Sequence, residues 1–502
     1  MSDTRPNVVV AITDTQGWQA VGCGEGFVET PRIDELAAEG VRCDEAHITS
    51  PVCTPSRAGF FTGRYPHNVG AFANNVPLFD TARTMGDYFA AAGYDVGYVG
   101  KWHLDGTDYF GTGNAPDPYP QEYWYDGRNY LEDIEPEERR WWRDAMSERV
   151  ATYDPEEMHA RGVTREDTWA GGVTDRARRF IAEAEEPYFL VVSYDEPHSP
   201  SMCPPPFCDM YEGEPYPLPD NYERPDEMGD KPTGHVESAR QYHAGDAHID
   251  SISGAREQGG IRRDLYFGCV SFVDDEIGRV VDAAAEGGRE TVTVFTSDHG
   301  HHLGAHGLDG KGGTAYDEVC RVPLVFHAPD SLPAGEVRDG VAAHVDVLPT
   351  LLDLAGAERP PILDGRSMRP LLADGEAHRE MALVEYHGFS GGGAGFTPIR
   401  AAVTPERKLV VNLFDTDELY DRGADPGELQ NRIDDPAYAD ERDALHDALV
   451  EEMARTRDLF HAPAWKDRPW RADAELTEAQ RSSPDRPDDG FLPPSGDSLI
   501  PE

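Results

Sequence analysis

A chain of 502 residues is long enough for one large α/β core with a smaller unit beside it. It carries 94 acidic against 45 basic side chains, a formal charge of -49, spread along its length rather than gathered in a tail. That balance argues against a nucleic-acid partner, and no apolar run approaches membrane-spanning length.

Self-repulsion of this size is tolerated where salt screens it, so the reading is a salt-adapted protein. The chain enters its first strand without an apolar leader or twin-Arg motif, and the expected location is cytoplasmic. There are only five Lys: Lys101, Lys231, Lys311, Lys408 and Lys466, while Arg carries the rest of the positive charge. Where Lys is this scarce, each one invites a question about its task. The seven Cys have no regular spacing, and no disulfide framework is expected.

Asn7 to Thr13 is an unalternating apolar run, as a central parallel strand requires. It ends in Asp14, at the edge where open α/β sheets bind ligands. Thr30-Pro31 starts a helix through about Glu39. Thr49 to Arg64 follows, with Cys53 four residues before Arg57 and Pro55 between them. Pro suits a first helical turn, so Cys53 falls at a helix N-terminus, where free amides favour an oxyanion. Asn74 and Asn75 lie in a polar loop that could line the pocket, though ordinary loop chemistry is the favoured reading. Met85 to Ala92 predicts a helix. Asp95 to Gly100 predicts a strand, which ends in Lys101 and His103. Residues at i and i+2 on a strand tip point the same way, so both can address one ligand.

Residues 106–170, rich in Tyr, Trp, Asp and Glu, read as an insertion over the sheet. A helix over Thr174 to Glu185 precedes a buried strand over Pro187 to Tyr194, which ends in Asp195-Glu-Pro197-His198. Residues 199–260 predict a long loop on the pocket rim, and Arg263 to Ala284 a helix with one apolar face. The strand Thr291 to Ser297 runs into Asp298-His299, with His301, His302, His306 and Lys311 beyond. Packing or capping is the reading for His301, His302 and His306. Val322 to His327 predicts a strand and Val341 to Gly356 a helix. Ala382 to Tyr386 and Lys408 to Leu413 read as strands of a smaller unit, Glu418 to Asn431 as turns, and Ala437 to Thr456 as a helix.

The fold class expected is α/β: a large, mostly parallel sheet sandwiched by helices, with a smaller C-terminal α+β subdomain. The divisions are 1–378, 379–460 and a tail at 461–502 that is either disordered or an arm on a second copy of the chain, making a homo-oligomer. Asp14, Lys101 with His103, His198, and Asp298 with His299 all follow strands. Parallel strands would gather them at one edge, with Cys53 and Arg57 opening a helix there.

Cys53-Thr-Pro-Ser-Arg57 followed by Thr62-Gly-Arg64 resembles the signature of type I sulfatases, in the alkaline phosphatase superfamily. The resemblance runs from about residue 7 to 431, through Gly100-Lys-Trp-His103, Pro197-His198, Asp298-His299-Gly300, Lys311 and His344 to Leu352. It implies that Cys53 is oxidised to Cα-formylglycine by a formylglycine-generating enzyme, and that the hydrate attacks a small-molecule sulfate ester. Asp14, Cys53, Asp298 and His299 would hold one divalent metal, Arg57 would contact the hydrate, and Lys101, His103, His198 and Lys311 would surround the sulfate. In that mechanism Asp298 accepts a proton, His198 or Lys311 protonates the departing alcohol, and His103 deprotonates the second hydroxyl. Many sulfatases have Asp where this chain has Thr15, and Asn where it has His299. The Asp-His pair is similar to choline sulfatases and phosphonate monoester hydrolases. Ca²⁺ comes first by resemblance, and the imidazole opens the site to Mn²⁺ or Zn²⁺. The alternatives are a phosphonate monoester or phosphodiester hydrolase on the same scaffold, and a silent anion-binding protein with Cys53 unmodified.

Overall fold

The computed structural model describes residues 4–24, 27–134, 155–213, 218–243, 263–388, 398–458, 460 and 463–471. In chain order the elements that matter are β1 (Asn7–Thr13), α1 (Pro31–Glu39), β2 (Val41–Cys43), β3 (Ala46–His47), α2 (Cys53–Thr62), α3 (Met85–Ala91), β4 (Asp95–Gly100), α4 (Trp169–Glu183) and β5 (Tyr188–Ser193). There follow α5 (Arg263–Ala285), β6 (Thr291–Ser297), β7 (Leu324–His327), β8 (Glu336–Arg338), β9 (Ala342–Ala343), α6 (Val347–Leu354), β10 (Ala382–Tyr386), β11 (Ile399–Val403), β12 (Arg407–Asn412), β13 (Glu418–Asp421) and α7 (Ala439–Arg455).

The large sheet has seven strands in the order β4-β5-β1-β6-β7-β2-β8. β4, β5, β1 and β6 are mutually parallel neighbours, with Val9 beside Leu190 and Thr293, and β7 runs against β6. The unalternating run in β1 is explained by burial on both faces. Val8, Val10 and Ile12 pack with Phe60 and Phe61 of α2, Phe89 of α3 and Leu351 of α6. Val9 and Ala11 pack with Ile33 of α1, Val173 of α4 and Phe272 of α5. Each fully buried valine of this kind contributes about 1.5–3 kcal/mol.

The second sheet is an antiparallel meander, β10-β11-β12-β13, covered by α7. Its core, with Leu383, Ala401, Val410, Leu449 and Met453, also takes in Ile48 and Val52 just ahead of α2. The Glu385 amide donates to the Thr49 carbonyl at 2.8 Å, so the C-terminal sheet braces the approach to Cys53.

Several expectations change. Within Val341 to Gly356 a 3-10 turn over His344–Asp346 leads into an α-helix over Val347–Leu354 alone. Ala342 and Ala343 pair instead with Ala46 and His47, and Pro349, which lacks an amide hydrogen, sits in the first turn of α6. Glu418–Asp421 is a strand held to β12, and the turns come only after it. α4 begins at Trp169, five residues early, because the Thr168 side chain caps it by accepting the Gly171 amide. The start of the 461–502 tail is ordered on its own chain: Trp465 is 2 % exposed and Arg468 Nε donates to Asp417 at 2.8 Å. Residues 472–502 and 135–154 lie outside the described residues. Among those described, no helix is long and apolar enough to cross a membrane, and all seven cysteines are free.

Candidate active site

Each parallel strand of the large sheet delivers polar residues at its carboxyl end. Asp14 follows β1, Lys101 and His103 follow β4, Asp195 and His198 follow β5, and Asp298 and His299 follow β6. Gly100 holds φ at +107°, and a Cβ there would lie 1.8 Å from the Ser193 carbonyl, so only glycine lets the chain turn into Lys101. Thr15 and His103 adopt φ of 72° and 56°, a left-handed conformation that costs each of them about 1 kcal/mol or more.

Cys53 is the first residue of α2, and all ten residues of that helix are buried. The Ser56 hydroxyl donates to the Asp298 carbonyl, which pins the helix start to the end of β6. Cys53 Sγ lies 3.2 Å from His299 Nε2, 2.8 Å from Lys311 Nζ and 4.0 Å from Asp14 Oδ1. Asp14, Cys53, Asp298 and His299 each present one ligand atom, all within 4.8 Å of one another. His299 Nδ1 lies 2.8 Å from the Gly300 carbonyl, which can only accept. Nδ1 therefore carries a hydrogen, and in the neutral ring Nε2 keeps its lone pair, 3.6 Å from Asp14 and 3.5 Å from Asp298. Two carboxylates and a bare imidazole nitrogen form a donor set that fits one divalent cation.

The cations interlock with these carboxylates. Arg57 Nη1 donates to Asp298 Oδ2 at 3.2 Å and Nε to the Trp102 carbonyl at 3.1 Å, while Nη2 donates to Tyr98, Ser193 and the Lys101 carbonyl. Burial works against the Arg57 charge, but Tyr98 and Asp298 hold its pKa above the usual range. Lys101 Nζ sits 2.5 Å from Asp14 Oδ2, an ion pair rather than an aligned hydrogen bond, and 2.7 Å from Asp195 Oδ1. Burial raises the Asp14 pKa, but Lys101 and Lys311 outweigh it and hold the carboxyl well below the ordinary value. Asp298 is pushed up to about 6, by burial and then by Asp14. Burial and Asp14 push the Cys53 thiol up, yet Lys311, His299 and Lys101 bring it down to about 6.

His103 Nε2 lies 2.8 Å from Asn75 Oδ1 and donates to it, leaving Nδ1 buried without a partner. Burial, then Lys101 and Arg57, lower its pKa to about 3, so the ring is neutral. His198 Nδ1 donates to the Ser199 carbonyl at 2.9 Å, and burial with Lys101 and Lys311 holds this ring neutral too. Burial lowers the Lys311 pKa, but Cys53 and Asp14 prevail and raise it.

The structure thus brings together all the residues singled out from the sequence: Asp14, Cys53, Arg57, Lys101, His103, His198, Asp298, His299 and Lys311. Sequence reasoning passed over Asp195, Tyr98 and Ser193, and favoured ordinary loop chemistry over pocket lining for Asn74 and Asn75. Asn74 Oδ1 in fact accepts the Thr54 amide at 3.0 Å, behind Cys53. His302 and His306 have structural partners, Thr314 at 3.1 Å and a stacked Tyr316 ring at 3.7 Å.

Residues 6–357 match the sulfatase family, and residues 304–455 match the C-terminal region of N-sulphoglucosamine sulphohydrolase. The chain is similar to the uncharacterized sulfatase YidJ of Escherichia coli (strain K12), 42% identical over 97% of this chain and 95% of the relative. It is similar also to the multifunctional alkaline phosphatase superfamily protein PehA of Trinickia caryophylli, 30% identical over 96% of this chain and 98% of the relative. The phosphonate monoester hydrolase of Agrobacterium radiobacter shares the fold, with a TM-score of 0.71 at 24% identity over 90% of this chain and 96% of its own. The chain belongs to the sulfatase family of the alkaline phosphatase superfamily and is, at the family level, a sulfuric ester hydrolase.

Proposed function

We propose that this chain hydrolyses a sulfate monoester to an alcohol and inorganic sulfate, with position 53, oxidised to Cα-formylglycine, as the nucleophile. The observation that carries this reading is the convergence of Asp14, Cys53, Asp298 and His299 within 4.8 Å, flanked by the buried Lys101 and by Lys311. Cys53 Sγ marks where an oxygen of the oxidised side chain would sit. Asp14, Asp298 and His299 would hold one divalent cation, which when bound lowers the pKa of a hydroxyl and offsets charge on sulfate oxygens.

The chain's own groups divide the remaining work. Arg57 Nη1 fixes the Asp298 carboxylate, and Asp298, with its pKa raised to about 6, accepts a proton at position 53. Lys101 and Lys311 bind the sulfate oxygens, each contact offsetting about 3–4 kcal/mol of barrier. Lys311, which carries a proton at neutral pH where His198 does not, protonates the departing alcohol. His198 Nε2 is left to orient the ester. His103, anchored through Nε2 to Asn75, takes a proton at Nδ1 in the second half of the cycle.

His299 is the observation behind a second reading. The Asp298-His299 pair resembles phosphonate monoester hydrolases as well as choline sulfatases, and the substrates of both are tetrahedral anions. Parallel assays with 4-nitrophenyl sulfate and phenyl methylphosphonate separate the two. Turnover of the sulfate supports the first reading, and turnover of the phosphonate alone overturns it.

A further inference from the structure

The charged centre of the site is closed: Asp14, Arg57, Lys101, Asp298 and His299 are fully buried and Cys53 is 2 % exposed. His198, Lys311 and Tyr109 are half-buried. With the exposed Asn75 they are the groups of the site that reach solvent, so the way out for a departing alcohol runs past them. The Tyr109 ring lies 4.9 Å from Lys101 Nζ and 5.3 Å from the His198 ring, so it spans the gap between two groups that address the ester.

The ring is firmly backed. Phe110 stands 4.4 Å from Tyr109, Trp169 stacks on Phe110 at 6.1 Å and 16°, and Tyr130 stacks on Trp169 at 6.2 Å and 7°. This row of rings forms a wall rather than a mobile flap. Beside it opens a recess of ≈ 30 Å³ lined by Phe110, Trp169, Asp195, Glu196 and His198, enough for one water or one small substituent. A large leaving group does not fit this recess and would meet the row of rings at its Tyr109 end. The Lys101 ammonium lies over one face of the Tyr109 ring, and the ring is half-buried, so part of its carbon surface is open to contact.

We propose that Tyr109 is a specificity-determining residue: its ring is the wall against which the departing alcohol lies, favouring esters of alcohols with a flat apolar face over short straight-chain ones. The inference rests on the sulfate-ester reading above and adds to it the class of alcohol.

The test is the ratio of kcat/KM for phenyl sulfate over propyl sulfate in the wild type, Tyr109→Phe and Tyr109→Leu, with melting temperature followed in parallel. Tyr109→Phe keeps the ring and is expected to keep the ratio. Tyr109→Leu is expected to lower it about 10-fold, through KM for phenyl sulfate. A ratio that stays at the wild-type value in Tyr109→Leu overturns the inference, whether or not both rates fall together. Tyr109→Met serves if the Leu variant does not fold. If the wild type turns over neither sulfate but releases phenol from phenyl methylphosphonate, the sulfate reading falls. Tyr109 is then decided by the same ratio on phenyl and propyl methylphosphonates. A wild type inert on all four esters overturns both.

Discussion

Replacing Lys101 by Met removes a charge and keeps most of the side chain's volume. Lys101 is fully buried between Asp14, 2.5 Å away, and Asp195, 2.7 Å away. Breaking a buried pair by deleting one partner typically costs about 3–5 kcal/mol, because the other charge stays in place without compensation. A bound cation would still neutralise Asp14, so most of that cost falls on Asp195. Losing one preorganised contact to the sulfate should in addition lower kcat/KM by about 10²–10³. The two effects separate in the double variant Lys101→Met/Asp195→Asn. Neutralising Asp195 should return most of the lost melting temperature while sulfate release from 4-nitrophenyl sulfate stays low. If activity returned along with stability, Lys101 would be a structural residue and its place in the reaction would be refuted.

Other consequences follow from the same physics. The His67 imidazole pairs with Glu385 where the C-terminal sheet meets the segment after α2; burial opposes its charge, but Glu385 raises its pKa to about 9. A raised folded pKa gives stability that is complete below the unfolded value of about 6.5 and is lost as pH rises through 9, up to about 3 kcal/mol from this group. His67→Gln should flatten the wild-type decline in melting temperature between pH 6.5 and 9; an unchanged slope would show that another group titrates. Lys408 joins β12 to Asp317 and Glu428 at 2.5 Å each. Lys408→Met should destabilise by about 3–5 kcal/mol, with kcat at 25 °C little changed because its partners are Asp317 and Glu428 rather than the groups around position 53. Dialysis against EDTA should abolish sulfate release and lower the melting temperature, and adding back cation should restore both, by about 2.7 kcal/mol at 100 times its Kd. His299→Asn should weaken the restoration by Mn²⁺ more than that by Ca²⁺, as titrations of melting temperature would show.

Much of this site was readable because buried parallel strands announce themselves. The apolar runs before Asp14, Lys101, Asp195 and Asp298 are short and mostly unalternating, a pattern that suits a strand covered on both faces, and the scarcity of Lys drew attention to Lys101 and Lys311. Lys231 and Lys408 also proved buried, tying the C-terminal sheet to the core. What stayed hidden depends on side-chain direction. Nothing in Asp195-Glu196 says that the first pairs with Lys101 while burial and Asp195 push the second up to about 8. Tyr98 and Ser193 look like ordinary strand residues, and only the register of β4 against β5 puts both on Arg57. β13 was missed because its four residues sit in a run of turn formers, and its pairing with β12 is a long-range choice that local pattern does not record.

The most direct test of the account is the mass of the peptide carrying position 53, taken from protein that is active on sulfate esters. Oxidation of Cys53 to formylglycine predicts a loss of about 18 Da from the cysteine-containing peptide. An intact thiol in a preparation that still releases sulfate at full rate would contradict the nucleophile, and with it the mechanism built around it.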